Sequence, residues 1–164
     1  MADIKENIEI IRANIEKTCN KAGRNSADVT ILAASKKAPP SKIKEAFFCG
    51  ITDFGESYYQ EARDKMPNIE ENITWHFIGH LQKNKVNHVV SSFELIHSVD
   101  SLDLITKIDK SAQNIDKIQK ILLEVNIAGE DTKFGLNEER LFKLVNSAQE
   151  LKNIKICGLM TMPP

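Results

Sequence analysis

The chain has 164 residues, 41% of them hydrophobic, which predicts one globular domain with a sizeable core. Its 22 basic and 23 acidic residues leave a net charge of -1, and no basic stretch is long enough to follow a nucleic-acid backbone, so we expect no nucleic-acid partner. The first residues mix charges where a signal peptide needs an apolar stretch, and no run has membrane-spanning length; we expect a cytoplasmic protein without a membrane partner.

The first predicted element is an amphipathic helix that Gly23 can end, because apolar residues recur every three or four positions at Ile4, Ile8, Ile11, Ile15 and Cys19. The apolar run that begins at Thr30 then predicts a buried strand. Pro39 and Pro40 close this segment, so Lys36 lies at the end of the strand.

Lys36 is the first candidate for chemistry. We expect it to be partly desolvated at the strand end, with Lys37 beside it as a like charge, and both effects favour the neutral amine. A neutral amine can form a Schiff base with an aldehyde such as pyridoxal phosphate. A solvated surface lysine is the alternative, since lysine is almost never fully buried.

Strands and helices then alternate to the end of the chain. The Pro39-Pro40-Ser41 segment is expected to form the N-cap of the second helix, which Gly50 stops; Asp100-Ser101 and Asn137 are expected to cap later helices. Pro67 is expected to end a helix that contains Tyr59. The five further strands are predicted at Ile51–Phe54, Ile73–Ile78, Phe93–Val99, Ile121–Asn126 and Ile154–Met160.

Alternating strands and helices indicate a parallel sheet, either open and doubly wound or closed as a (β/α)₈ barrel. Polar residues follow the strands repeatedly, which favours the α/β fold of TIM-barrel type, whose enzymes gather active groups at that face. A full barrel takes roughly 250 residues and eight strands. We therefore expect a barrel domain over residues 1–164 with about six of eight strands, truncated at the C-terminus.

Other motifs are weaker. Gly55-Glu56-Ser57 begins like a nucleophile elbow, but Tyr59 stands where that motif needs glycine, so a hydrolase is not favoured. His76 and His80 lie on a strand and its exit, not on one helix face, so we expect core or loop histidines and no metal site.

Five segments, in this order and at compatible spacing, resemble the pyridoxal phosphate homeostasis protein family. They are Ala34-Ser35-Lys36, Phe54 to Glu61, Trp75 to Lys85, Val125-Asn126-Ile127 with Lys133 and Gly135, and Gly158 to Met162. The Trp-His-Phe-Ile-Gly-x-Leu-Gln string is the most specific part. The family looks like the N-terminal barrel of alanine racemase without its second domain, and its members bind pyridoxal phosphate with no established turnover.

The resemblance implies a cofactor site. Lys36 matches the lysine that holds pyridoxal phosphate as an aldimine, and Ser57 stands where the family usually has asparagine. Asn126 and Met160 match strand-end residues near the ring, Met160 as a packing wall. The resemblance also implies later segments on two further strands that hold the cofactor phosphate. Because this chain lacks them, we expect weak binding and exposed strand edges.

The predicted function is thus a pyridoxal phosphate carrier in intracellular homeostasis, a monomer or weak dimer that delivers the aldehyde to cofactor-dependent apoenzymes. The alternative is an amino-acid racemase with Lys36 as general base. Racemisation needs a second base, which in the alanine racemase relatives is a tyrosine of another domain, so the carrier is favoured. A protein that only contacts other proteins is a third alternative.

Overall fold

A computed structural model describes residues 3–127 and 134–163. The helices are α1 Ile4–Ala22, α2 Pro40–Phe48, α3 Tyr59–Lys65, α4 Val86–Ser92, α5 Leu102–Gln113 and α6 Glu138–Ala148. The strands are β1 Leu32–Ala34, β2 Asp53–Glu56, β3 Thr74–Phe77, β4 Leu95–Val99, β5 Gln119–Glu124 and β6 Ile154–Met160. Strands and helices alternate along the chain, as the sequence pattern predicts.

The helix ends follow local side-chain chemistry. Gly23 ends α1 in the left-handed conformation with φ 64°. The side chain of Ser101 accepts from the Leu104 N–H, and that of Asn137 accepts from the Arg140 N–H, so both predicted caps are confirmed. The N-cap of α2 lies in the predicted Pro39-Pro40-Ser41 segment, at Pro39, and no side chain caps the helix there. Helix α2 begins at Pro40, because the φ angle of proline already suits the first helical position.

All six strands form one parallel sheet in the order β1-β2-β3-β4-β5-β6. Each strand therefore pairs with its neighbours in sequence. A doubly wound sheet reverses its strand order at a switch point, and this sheet has no such reversal. The strand order thus selects the barrel-type α/β fold with six strands present. Parallel pairing also brings all the carboxyl ends of the strands to one edge.

The core lies between the sheet and the helices in two clusters. One packs Phe77, Phe93 and Ile96 against α4 and α5, and the other packs Phe54 and Ile43 between α1, α2 and the sheet. Trp75 contacts both clusters. The core therefore packs the sheet against its helices.

Strand β6 has the predicted bounds; β1, β3 and β4 are shorter than predicted, and β2 and β5 are shifted along the chain. Ile51 lies before β2, because its N–H closes the end of α2 on the Ala46 carbonyl while its side chain is buried in the second cluster. The fifth strand begins at Gln119, which is buried and whose side-chain amide donates to the carbonyls of Glu94 and Lys120. Hydrogen bonding thus allows a polar residue in a buried strand. Among the described residues, no helix is long and apolar enough to cross a membrane.

Candidate functional site

A cavity of about 460 Å³ lies at the carboxyl edge of the sheet. Residues at the ends of five successive strands line it: Ser57 after β2, Phe77 of β3, Ser98 of β4, Glu124 of β5 and Met160 of β6. Residues of the loops after β2 and β3, among them Tyr58, Gly79 and His80, complete the wall. This size and mixture of apolar walls with few polar groups are typical of a small-molecule site.

Gly79 is required for this wall. A Cβ atom at residue 79 would come 2.7 Å from the Cα of Ser57, which no side chain can relieve because the neighbour is backbone. The buried hydroxyl of Ser98 donates to the Gly79 carbonyl. The exits of β2, β3 and β4 are thereby held together, and this contact places Ser57 at the cavity.

Lys36 lies just beyond β1, as the sequence predicts. Ala34 pairs with Gly55, so Lys36 and Ser57 both stand two residues beyond a paired position on neighbouring strands. Adjacent strands lie about 5 Å apart, so the register brings the exits of β1 and β2 next to each other at this edge. Lys36 is exposed and is not among the residues that line the cavity. The desolvation expected for this lysine is therefore not found.

Behind the lysine, on the helix side of the sheet, is a buried polar cluster of Ser35, Glu56 and Lys65. Glu56 Oε1 accepts from Ser35 Oγ and from Lys65 Nζ, both at 2.6 Å. Lys65 Nζ also donates to the Ser35 carbonyl oxygen at 2.8 Å. The Glu56 side chain is fully buried, so this ion pair is shielded from water and fixes the β1 exit.

Of the other predicted site residues, Met160 lines the cavity and Asn126 does not. Asn126 follows β5, where its N–H donates to the Leu136 carbonyl. Gly135 lies directly over it, because a Cβ there would come 2.8 Å from the Asn126 nitrogen. Lys133, part of the same sequence segment, lies outside the described residues.

The remaining wall combines an aromatic pair with an acidic group. The rings of His80 and Phe134 stack with centroids 4.0 Å apart. Burial raises the pKa of Glu124 above its usual value, the nearby Asp100 carboxylate adds to this, and His80 opposes it. This wall can therefore stack a planar ring beside a carboxyl group that resists ionisation.

A second polar chain crosses β2, β3 and β4. His76 Nε2 lies 3.0 Å from Asp53 Oδ1, and His76 Nδ1 lies 2.9 Å from His97 Nε2. Burial lowers the pKa of His97 to about 4, and the neighbouring His76 contributes to the same shift. His97 is therefore neutral at pH 7. None of these three residues lines the strand-end cavity.

Sequence reasoning missed both polar clusters. A signal for the Ser35–Glu56–Lys65 cluster was present, since Glu56 and Lys65 interrupt otherwise apolar positions on β2 and α3. Residues nine positions apart are not neighbours within a helix or a strand, however, so the spacing does not predict their contact. The Asp53–His76–His97 chain joins three strands. Its members become neighbours only through the strand register.

The fold and the cavity define a class of protein. Residues 7–164 match the family described as "Alanine racemase, N-terminal domain". Within that class the chain belongs to the pyridoxal phosphate homeostasis protein family. It is 40% identical over 160 residues to the pyridoxal phosphate homeostasis protein of Aquifex aeolicus, an alignment that covers 97% of this chain and 70% of that protein.

Two solved structures extend the comparison. A protein of unknown function from Bifidobacterium adolescentis is 30% identical and superimposes with a TM-score of 0.91, over 98% of this chain and 69% of that one. PipY of Synechococcus elongatus, solved with PLP bound, is 31% identical with a TM-score of 0.79, over 92% of this chain and 70% of that one. The barrel-type fold predicted from the sequence is thus confirmed.

Proposed function

We propose that this chain binds pyridoxal phosphate and holds it in reserve, as a protein of cofactor homeostasis. The observation that carries the proposal is the strand register, in which Lys36 and Ser57 each follow a paired residue by two positions, at the edge of the sheet where Ser57 lines the cavity. When bound, pyridoxal phosphate supplies an aldehyde carbon that condenses with a primary amine and releases water. Lys36 provides the amine.

The other site residues would bind and orient the ring. Ser57 offers a hydroxyl that can donate or accept a hydrogen bond at the mouth of β2. Met160 and Phe77 give an apolar wall, and the His80–Phe134 pair gives a flat one. Asn126 is further from the cavity wall, and we propose that it supports the β5 exit through its backbone contact with Leu136. These residues fit a planar polar ring.

We propose a carrier and not an enzyme. A reactive aldehyde held by one lysine can be passed to the lysine of an apoenzyme by exchange of one amine for another, and no further catalytic group is required. A racemase needs a second base on the opposite face of the bound amino acid. The relatives carry the name of homeostasis proteins, which supports the carrier. Cofactor-dependent apoenzymes are therefore the partners we propose.

We also propose that residues 1–164 act as one ligand-binding domain. Trp75 packs against both core clusters, so the two halves of the sheet share one interior. A protein whose only role is contact with other proteins would need no such cavity.

The experiment is a visible absorbance titration of the purified chain with pyridoxal phosphate, followed by borohydride reduction and peptide mapping. We expect the label on Lys36 and its loss in Lys36→Ala. Lys37→Ala is the matched control, since it removes the neighbouring charge and leaves Lys36. A label spread evenly over surface lysines, or the same label in Lys36→Ala, would contradict the proposal. Racemase activity is measured separately as loss of optical rotation of amino acids.

A further inference from the structure

Lys36 lies in a tight turn whose amino-acid sequence does not favour that turn conformation. The Ala38 N–H donates to the Ser35 carbonyl oxygen at 2.9 Å, which closes a four-residue turn over Lys36 and Lys37. Lys37 has φ 62°, and Lys36 is not among the residues with positive φ. This is the pattern of a type II turn, whose third position favours glycine because a Cβ atom there is strained. Contacts from outside the turn must therefore hold it.

Helix α3 supplies two such contacts. The Lys37 N–H donates to Glu61 Oε2 at 3.0 Å, and Lys65 Nζ donates to the Ser35 carbonyl oxygen at 2.8 Å. Glu61 and Lys65 are four residues apart, so they lie on the same face of the helix. One helix face thus contacts the turn at two points.

The two contacted groups belong to the two peptide units on either side of Lys36. The Ser35 carbonyl is part of the peptide before its Cα, and the Lys37 N–H is part of the peptide after it. Fixing the first peptide plane restricts φ of Lys36, and fixing the second restricts ψ. These two angles set the direction in which the Lys36 side chain leaves the strand end.

The Lys65 side chain that contacts the Ser35 carbonyl is itself held in place. Glu56 Oε1 accepts from Lys65 Nζ at 2.6 Å, and the Lys65 side chain is only 9% exposed. A buried ammonium paired in this way has no alternative partner in water. The Glu61 end is more accessible, so its contact can be removed without leaving a buried charge unpaired.

We propose that Glu61 and Lys65 are positioning residues that set the backbone of Lys36 for its reaction with the aldehyde of pyridoxal phosphate. The inference rests on the proposed function of Lys36. Neither residue needs to touch the ligand, since both act through the peptide groups of the turn. Glu61 holds the strained second peptide, and Lys65 holds the first.

Two variants of Glu61 test the idea. Glu61→Ala removes the acceptor for the Lys37 N–H, whereas Glu61→Gln keeps an acceptor oxygen and removes the charge. We expect the rate of borohydride-trapped labelling of Lys36 by pyridoxal phosphate to fall roughly ten-fold or more in Glu61→Ala and to stay within about three-fold in Glu61→Gln. Asp64→Ala is the control, an exposed acid on the same helix.

A rescue variant distinguishes positioning from other roles. In the Glu61→Ala background, Lys37→Gly removes the strain of the positive φ, so the turn can form without Glu61. We expect the labelling rate to return towards that of the unaltered chain. In the ligand-free protein, hydrogen exchange of the residue 37 amide measured by NMR should quicken in Glu61→Ala and not in Asp64→Ala.

The outcomes separate the two proposals. If the unaltered chain takes no label on Lys36, the proposed function fails, and the positioning role fails with it. If the unaltered chain is labelled and Glu61→Ala is labelled equally fast, only the positioning role is overturned. The same holds if Glu61→Gln is as slow as Glu61→Ala and Lys37→Gly restores nothing, because the Glu61 charge would then act in another way.

Discussion

The backbone of Gly79 lies against the backbone of Ser57, with no space between them for a side chain. We predict that Gly79→Ala lowers the free energy of unfolding by about 1–3 kcal/mol, because an added methyl group must displace main-chain atoms. The displaced segment carries Ser57, so pyridoxal phosphate labelling should weaken as well. Urea denaturation and borohydride trapping measure the two effects.

Gly55→Ala is the matched comparison for Gly79. Its added Cβ would meet side-chain atoms of Ile78, the nearest at 2.8 Å, and a side chain can move more easily than backbone. We expect a smaller loss of stability than in Gly79→Ala. Equal losses in the two variants would contradict the assignment of Gly79 as the contact that holds the strand exits together.

The His97 ring gives a pH dependence on the acid side. Its pKa is lowered from 6.5 to about 4 in the folded protein, so the unfolded chain takes up the proton first as the pH falls. The stability it contributes is complete above pH 6.5 and is lost between pH 6.5 and 4. We predict a loss of roughly 1–2 kcal/mol over this range, since the ring is partly exposed to water.

Thermal or urea unfolding at several pH values checks this prediction. His97→Gln should make the acid-side decline shallower, because the variant has no ring to titrate. His88→Gln alters an exposed histidine and should leave the decline unchanged. A decline that is the same in all three proteins would exclude His97 as its cause.

Glu124 should give a pH dependence of stability opposite in sign to that of His97. Burial and Asp100 raise its pKa above 4.5, so its contribution to stability is complete below about pH 4.5 and is lost as the pH rises through the raised value. We predict that Glu124→Gln gains stability relative to the unaltered chain at pH 7, by less than about 1 kcal/mol, and gains nothing at pH 4. Paired unfolding curves at the two pH values measure the difference.

The Glu56–Lys65 pair should show strong coupling. Lys65→Met leaves the fully buried Glu56 without its cation, and we predict a loss of about 3–5 kcal/mol in the free energy of unfolding. Adding Glu56→Gln to that variant should recover part of the loss. A double-mutant cycle by urea denaturation measures the coupling energy. Two losses that simply add would show that the ion pair has no special stability.

Much of the fold could be predicted from the sequence because its signals are local. The apolar spacing of α1, the caps at Ser101 and Asn137, and the run that forms β6 all depend on residues a few positions apart. The position of Lys36 can also be predicted from local signals, because it depends only on where one strand ends. The predicted start of β2 at Ile51 is wrong, because an apolar side chain can be buried beside a helix as well as in a strand.

The sequence by itself determined the alternation of strands and helices and the position of Lys36 at a strand end, because main-chain propensity and side-chain spacing act over one or two turns of chain. Only the tertiary structure decided the sequential order of the strands in the sheet. It also decided the cavity shared by five strand ends and the contacts of α3 with the Lys36 turn. Those features join residues 19 or more positions apart. Their contacts depend on strand register and helix packing, which no local pattern encodes.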